Sequence, residues 1–532
     1  MKRSIYICLA AAFLLTVSCG KDYLNRPPQG TLTDENFYQS PDAGYKTLVN
    51  CYLGFYNFWG YQAVLAELGN MATDECDKGG SDAGDRPFVT DLGYGRALSS
   101  NETLQNFWTA CYSAIGNCNV ALEHLPDAAL IDAGGNLVDE STKNRYIAEI
   151  RFLRSFYYFD LVRVFGGVPL LTKTLAPEDR NKLTRASAQD IFKFITDEWS
   201  ACAADPALPS KNQLPAAEQG RVTQETVWAM LARADLFFAG EDKSLYTKAK
   251  DAAKKVIDAK AFALEPDYQD LFHVNGYKSK EAVFPVIFGD DPGKFIIGST
   301  LPQYCSPRSI GGWGFDCPTQ SLVDAFEPGD PRRLFTVLDQ GDQFPKSGGQ
   351  EVLDFSNYPN TGHHNRKEFL VAARRGQAFG NDAWTLHLIR YADVLLMYAE
   401  ALVESGGSKQ EAADYINMVR DRASHSSRTD AEATKRVTVI ADRTLPEVKA
   451  SDDLRAAVRH ERRVELGGEY QRLFDLIRWG TYVSTMHDFA TRPYSNGKGA
   501  AFKKPASGRY LFPIPQAEID RSGGSIVQNP GY

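Results

Sequence analysis

The chain has 532 residues, 43% of them hydrophobic and 12% aromatic, enough to bury a large core. Its formal net charge of −8 and sequence pI near 5.6 speak against a nucleic-acid partner, which calls for a basic stripe. Neither a P-loop pattern nor a strand-linked GxGxxG occurs, so no phosphate-cradling loop is expected.

The first element is MKRSIYICLAAAFLLTVSCG, with a basic start, an apolar stretch from Ile5 to Val17, and Ser18-Cys19 at its end. This is a secretory signal over residues 1–18. Cys19 stands where a bacterial lipobox places its lipidated cysteine, with Thr16 where Leu is commoner. Acyl chains on Cys19 would anchor the protein without spanning the membrane. Residues 19–40, including the polar GKDYLNRPPQGT, read as a tether. With Cys8 in the signal and Cys19 lipidated, seven cysteines remain, and the absence of CxxC argues against structural zinc. Cys305 and Cys317 bracket a loop and could be bridged, whereas Cys111 and Cys118 have the spacing of free thiols on one helix face.

From residue 41 to 532 the chain reads as one domain, and helical patterns come in pairs. The pairs lie near 103–165, 223–260, 389–423 and 452–486. In the first, RFLRSFYYFDLVRVFGGVPLL is apolar on every side, which fits a membrane or a deep core. Arg151, Arg154, Asp160 and Arg163 interrupt it, and GGVP at 166–169 ends it well before a bilayer is crossed. It is therefore a buried helix of a soluble body, its charges reaching the surface or pairing with acids such as Asp160 and Glu149. In the third pair, Leu395, Tyr398, Ala399 and Leu402 face Ala412, Ala413, Ile416 and Val419, small beside large, which lets two helices pack closely. The expected fold is all-α: tetratricopeptide-like helical hairpins forming a scaffold, with a large loop-rich ligand-binding part containing little β structure. That loop-rich part lies near 54–101 and 262–388, where glycine, proline and aromatic residues crowd together.

Four stretches carry a resemblance: AEIRFLRSFYYFDLVRVFGGVPLL at 148–171; IRYADVLLMYAEALVESG followed by INMVRDRA; HERRVELGGEYQRLFDLIRWG at 460–480; and LFPIPQAEID with QNPGY at the C-terminus. With the lipobox, they resemble the SusD/RagB family of Bacteroidetes outer-membrane lipoproteins over essentially the whole mature chain. Gly467-Gly468 and Leu473 depart from it, standing where the family carries bulkier or aromatic residues. The resemblance implies a surface-exposed, lipid-anchored protein of the outer membrane. Such a protein binds oligosaccharide, caps a SusC-like TonB-dependent transporter as a hinged lid, and performs no chemistry on its ligand. In the RagB branch the ligand is peptide, which leaves a peptide-binding or interaction scaffold as the alternative, and a lipoprotein glycoside hydrolase behind it.

A glycan site wants flat aromatic faces for the C–H sides of sugar rings and polar groups for the hydroxyls. Tyr304, Trp313 and Phe315, with Arg308 and Asp316 beside them, form the first candidate cluster. Gly311, Gly312 and Gly314 allow an unusual backbone that could turn the indole outward. Trp59 with Tyr61 is the second, and Asp74, Asp77 and Arg86 follow in the next loop; Trp384 and Tyr358 are lesser candidates. Each ring would serve as well packed beneath its loop. Nothing in the spacing pairs two carboxylates for glycoside hydrolysis, and neither HExxH nor GxSxG occurs. His363-His364 reads as solvated loop histidines. DKGGSDAGD at 77–85 lacks EF-hand spacing, so no metal or cofactor is expected. Arg462, Arg463 and Glu465 are expected to pair at the core edge, and Trp479 to seal the last hairpin.

Overall fold

The structure is a computed structural model that describes residues 37–179, 181–289, 297–355, 361–375, 380–505 and 508–532. The signal, Cys19 and Tyr358 lie outside the described residues. About half of the chain is helical and 9% is strand. The longer helices are α1 Ala43–Tyr52, α2 Pro87–Tyr94, α3 Glu102–His124, α4 Glu140–Phe165, α5 Ala188–Ala204, α6 Gln224–Phe238, α7 Leu245–Asp258, α8 Tyr391–Glu404, α9 Lys409–His425, α10 Leu454–Leu466, α11 Arg472–Arg478 and α12 Tyr482–Ala490. Caps fix where they begin. Asn101 accepts from the Leu104 N–H at 3.3 Å, Asp139 from Thr142 at 2.9 Å and Ser187 from Asp190 at 3.0 Å, each satisfying an N–H that the helix itself cannot. Among the described residues, no helix is long and apolar enough to cross a membrane.

From Ala148 to Phe165, α4 is buried at every position except Arg151, because α3, α5 and α1 cover it on three sides. Trp199 of α5 stacks on Phe152 at 5.6 Å and donates its N–H to the Phe152 carbonyl at 3.1 Å. Burying one such ring contributes about 1.5–3 kcal/mol. The charges of α4 are paired: Arg163 with Asp160, Arg151 and Arg154 with Glu198. Beyond α5 the stack continues with each helix on the next, α6, α7, α8, and then α9 and α10 together. α5 was not anticipated in any pair. The second half of the pair near 452–486 is two helices, α11 and α12, interrupted at Gly480, whose φ of 68° ends the first.

The strands form four antiparallel pairs: β1 Cys76–Gly79 with β3 Phe315–Pro318, β2 Ala282–Phe288 with β8 Trp384–Arg390, β4 Val337–Asp339 with β7 His363–Asn365, and β5 Gln343–Lys346 with β6 Gly349–Val352. β8 runs directly into α8 and so roots the loop-rich part in the helical stack.

Several expectations need correction. Arg462 and Glu465 are in the core. Glu465 is fully buried, receiving Arg390 at 2.6 Å, Arg332 at 2.8 Å and also Arg422, while Arg462 pairs with Asp393 at 2.7 Å and Asp475 at 2.9 Å. The reason is that α10 packs against both α8 and α9, which hides a face that its charges suggested was open. His363 and His364 lie on β7: His364 is 1% exposed with Nδ1 at 3.2 Å from the Cys305 carbonyl, and His363 lies 2.9 Å from Asp339. Cys305 and Cys317 are buried free thiols, as are Cys111 and Cys118. Trp384 is buried on β8. Trp479 is half-buried and donates to Glu400 at 2.8 Å.

Candidate functional site

The two aromatic segments, separated by more than 240 residues of sequence, meet at one place. Asn57 accepts from the Gly60 N–H at 2.9 Å and opens a wide helical turn, Phe58–Gln62, of the π type often found at functional sites. Trp59 projects from it and keeps 43% of its surface exposed. Trp313 comes from the loop between Arg308 and β3. Its N–H donates to the Gln303 carbonyl at 2.8 Å, and Arg308 donates to the Trp313 carbonyl at 3.0 Å. Gly314 has φ 78°, and a Cβ on Gly312 would stand 2.1 Å from the Ser306 carbonyl oxygen, so the turn that carries Trp313 needs both glycines.

The Trp59 and Trp313 rings lie 5.6 Å apart between centroids and within 18° of parallel. Carbon atoms in contact sit about 3.5–4.0 Å apart, so the indoles are offset, forming a step rather than a closed sandwich. Phe58 supports both edge-on, at 4.7 Å from Trp59 and 5.8 Å from Trp313. The exposed Arg308 and the half-buried Asp85 flank the step, 3.9 Å from each other.

The remaining candidates divide by burial. Tyr304 and Phe315 are buried and stack on each other at 4.4 Å and 9°, forming the floor under Trp313 and Phe58. Asp316 is fully buried and accepts from Asn70 at 2.9 Å and Asn365 at 2.8 Å. Phe315 and Asp316 cannot present themselves to a ligand, because β3 pairs with β1 and all four of its residues are covered, and Tyr304, on the short helix Leu301–Cys305, is buried against Phe315. Tyr61 is likewise buried. Two residues along a helical turn from Trp59, it points inward and donates to Asp160 at 2.9 Å. Asp74 is buried between Arg463 at 2.8 Å and Arg472 at 2.9 Å. Burial pushes its carboxyl up, but the two guanidiniums outweigh that and hold it well below the usual range. Asp77 is half-buried on β1, opposite Cys317. In the loop at 77–85, Lys78 donates its ammonium to the Asp82 carbonyl at 2.9 Å and to the Asp85 carbonyl.

Arg86 stands over Trp59 at 4.3 Å and over Phe88 at 4.6 Å, and donates to Glu67. Glu67, 0% exposed, also accepts from the Tyr304 hydroxyl at 2.8 Å and from Thr103. Sequence reasoning missed Glu67 and Phe58. The available signal for Glu67 was one acid inside the apolar run AVLAELGNMA. Among the described residues, no group of three or more His, Cys, Asp or Glu side chains is placed to hold a metal.

Comparison with known proteins gives consistent matches. The family model described as "SusD family" matches residues 280–532, and one described as "Starch-binding associating with outer membrane" matches 89–236. SusD-like protein P2 of Formosa agariphila is 26% identical over 98% of both chains. Among solved structures, surface glycan-binding protein A from Bacteroides uniformis is 25% identical with a TM-score of 0.72, covering 92% of this chain and 99% of that one. Its namesake from Bacteroides thetaiotaomicron, in complex with laminarihexaose, is 23% identical with a TM-score of 0.73, over 92% and 99%.

Proposed function

Because the chain belongs to the SusD/RagB family, we propose that it captures oligosaccharide on the Trp59–Trp313 step and delivers it to a SusC-like TonB-dependent transporter, leaving the sugar intact. The observation that carries this reading is the pair of near-parallel indoles, 5.6 Å apart, with Trp59 43% exposed. An offset pair offers a sugar chain two surfaces at different heights, suited to successive rings of a chain that curves. Arg308 supplies donors for hydroxyls beside it, and Arg86 fixes the Trp59 indole from over its ring. The family description supports a place at the outer membrane, and Cys19 is the residue that would carry the anchor. Relatives named as glycan-binding proteins support a binding role rather than an enzymatic one.

The test is a glycan array followed by calorimetry on the soluble protein beginning after Cys19, with laminarihexaose as the first probe. Binding without cleavage is expected, and Trp59→Ala and Trp313→Ala should each weaken it by about tenfold or more. Failure to bind any glycan, unchanged affinity in both variants, or release of new reducing ends would each overturn the proposal.

A further inference from the structure

A second pocket, of about 340 Å³, opens between α5, α6 and α7, on the helical stack rather than in the loop-rich part. Asp235 of α6 lines it and is only 5% exposed. Among the described residues, no hydrogen-bond donor and no cation within 4 Å engages its carboxylate, and burial pushes that carboxyl up to about 7 against the opposing pull of Lys248. Most other buried acids among the described residues are paired, so a carboxylate that faces a pocket without a partner stands out.

The other charges around the pocket are largely engaged. Asp251 pairs with Lys250 at 3.5 Å, Asp197 with Lys193 at 2.5 Å, and the Lys255 ammonium sits 3.3 Å over the Trp228 ring. Among the described residues, that leaves one free acceptor at the base, Asp235, and one free cation at the rim, Lys248, with the Ser200 hydroxyl beside them; the Thr196 hydroxyl already donates to the Phe192 carbonyl at 3.0 Å. An anionic ligand would meet the Asp235 carboxylate, and a cationic one would meet Lys248 and Lys255. A neutral polyol meets neither obstacle: adjacent hydroxyls donate to the carboxylate, and their oxygens accept from the ammonium. The volume is at the small end for ligand pockets, sized for a single ring.

We infer that this pocket is a second carbohydrate site, in which Asp235 and Lys248 hold the hydroxyls of one sugar ring. It is independent of the Trp59–Trp313 step.

Saturation-transfer NMR with the methyl glycosides of glucose, galactose and mannose tests it, run on the wild type and on a Trp59→Ala/Trp313→Ala background so that the step contributes nothing. A signal from at least one glycoside should survive on that background. Asp235→Leu should then weaken the interaction by about tenfold, and Lys248→Ala should weaken it measurably. The leucine removes an unpaired carboxylate, so Asp235→Leu should melt no lower than the wild type, which separates loss of binding from loss of fold. The inference is overturned if no glycoside shows transfer, if Asp235→Leu leaves the signal unchanged, if the step variants alone remove it, or if Nα-acetyl-lysinamide binds in place of the sugars. A fall in melting temperature for Lys248→Ala with sugar transfer intact would also overturn it, since Lys248 would then serve the fold and not a ligand.

Discussion

The Arg86 guanidinium lies 4.3 Å from the Trp59 ring centroid and reaches Glu67 Oε1 through Nε at 3.1 Å and Nη2 at 2.6 Å, so an exposed indole is tied to a fully buried carboxylate. Arg86 pays for this position with φ 50°, a left-handed conformation that side chains other than glycine rarely adopt. The first prediction concerns that link. Arg86→Ala leaves Glu67 buried without its cation and should cost about 3–5 kcal/mol of stability, while adding Glu67→Gln should restore much of it. Urea melts of the two single variants and the double variant measure the coupling. Simple additivity would show that Arg86 and Glu67 do not act as a unit.

The turn beneath Trp313 gives the second prediction. A methyl group on Gly312 collides with the Ser306 carbonyl oxygen at 2.1 Å, so Gly312→Ala must displace the 306–314 turn. Binding to the step should fall roughly tenfold, the loss expected when a central aromatic contact is misplaced. Gly116, inside α3 with nothing within 4 Å of its Cβ position, is the control: Gly116→Ala should raise stability by about 0.5–1 kcal/mol and leave binding unchanged. Calorimetric titration beside thermal melts reads both.

How much of this was legible follows from what sequence periodicity can carry. The burial of α4 was readable, because four charges inside an apolar run rule out a bilayer, and their near partners Asp160 and Arg163 lie one turn apart. The glycines around Trp313 left its exposure open in the sequence, and the structure has it half-buried. The full burial of Phe315 was not readable. It depends on β3 pairing with β1, where Cys76 meets Pro318 across more than 240 residues, and no local pattern announces such a pairing. The same holds for Asp74, whose partners Arg463 and Arg472 lie at the far end of the chain. A short acidic loop reads as open to ligand until the distant arginines arrive.

The charged core yields a third prediction. Arg390, 1% exposed, reaches Glu281 at 2.5 Å, Glu465 at 2.6 Å and Glu469 at 2.7 Å, and joins β8 to α10. Burial pushes the Glu465 carboxyl up, but Arg422, Arg390 and Arg332 together hold it well below the usual range. Arg390→Met takes one cation from three buried carboxylates, leaving Glu281 and Glu465 with Arg422 and Glu469 with Lys367, and should cost about 3–5 kcal/mol, with loss of folded protein at moderate urea. Arg455→Met is the control. Arg455 is an exposed partner of Glu404 at 2.5 Å, and its replacement should change stability by less than about 1 kcal/mol. Comparable losses from the two variants would mean that burial does not decide the value of these pairs.

The fourth prediction is a pH dependence located at Glu368. This carboxyl is 4% exposed; Oε1 accepts from the Tyr470 hydroxyl, and Oε2 has no partner among the described residues. Burial pushes it from 4.5 up to about 8. The Tyr470 bond and Lys367 pull the other way, and Asp316 and Glu469 add to the rise. The folded protein therefore holds a proton that the unfolded chain releases near the ordinary glutamate value. Below about 4.5 the group favours the fold in full; as pH rises toward about 8 that contribution is lost, because the unfolded state binds fewer protons throughout the interval. Glu368→Gln keeps the shape and cannot ionise, so its stability should fall less than that of the wild type between pH 5 and 9, by an amount on the order of a few kcal/mol. The two proteins should differ least at the acid end. Urea melts across that range decide it: parallel pH profiles would place the proton elsewhere, and a steeper profile for the glutamine variant would reverse the assigned direction.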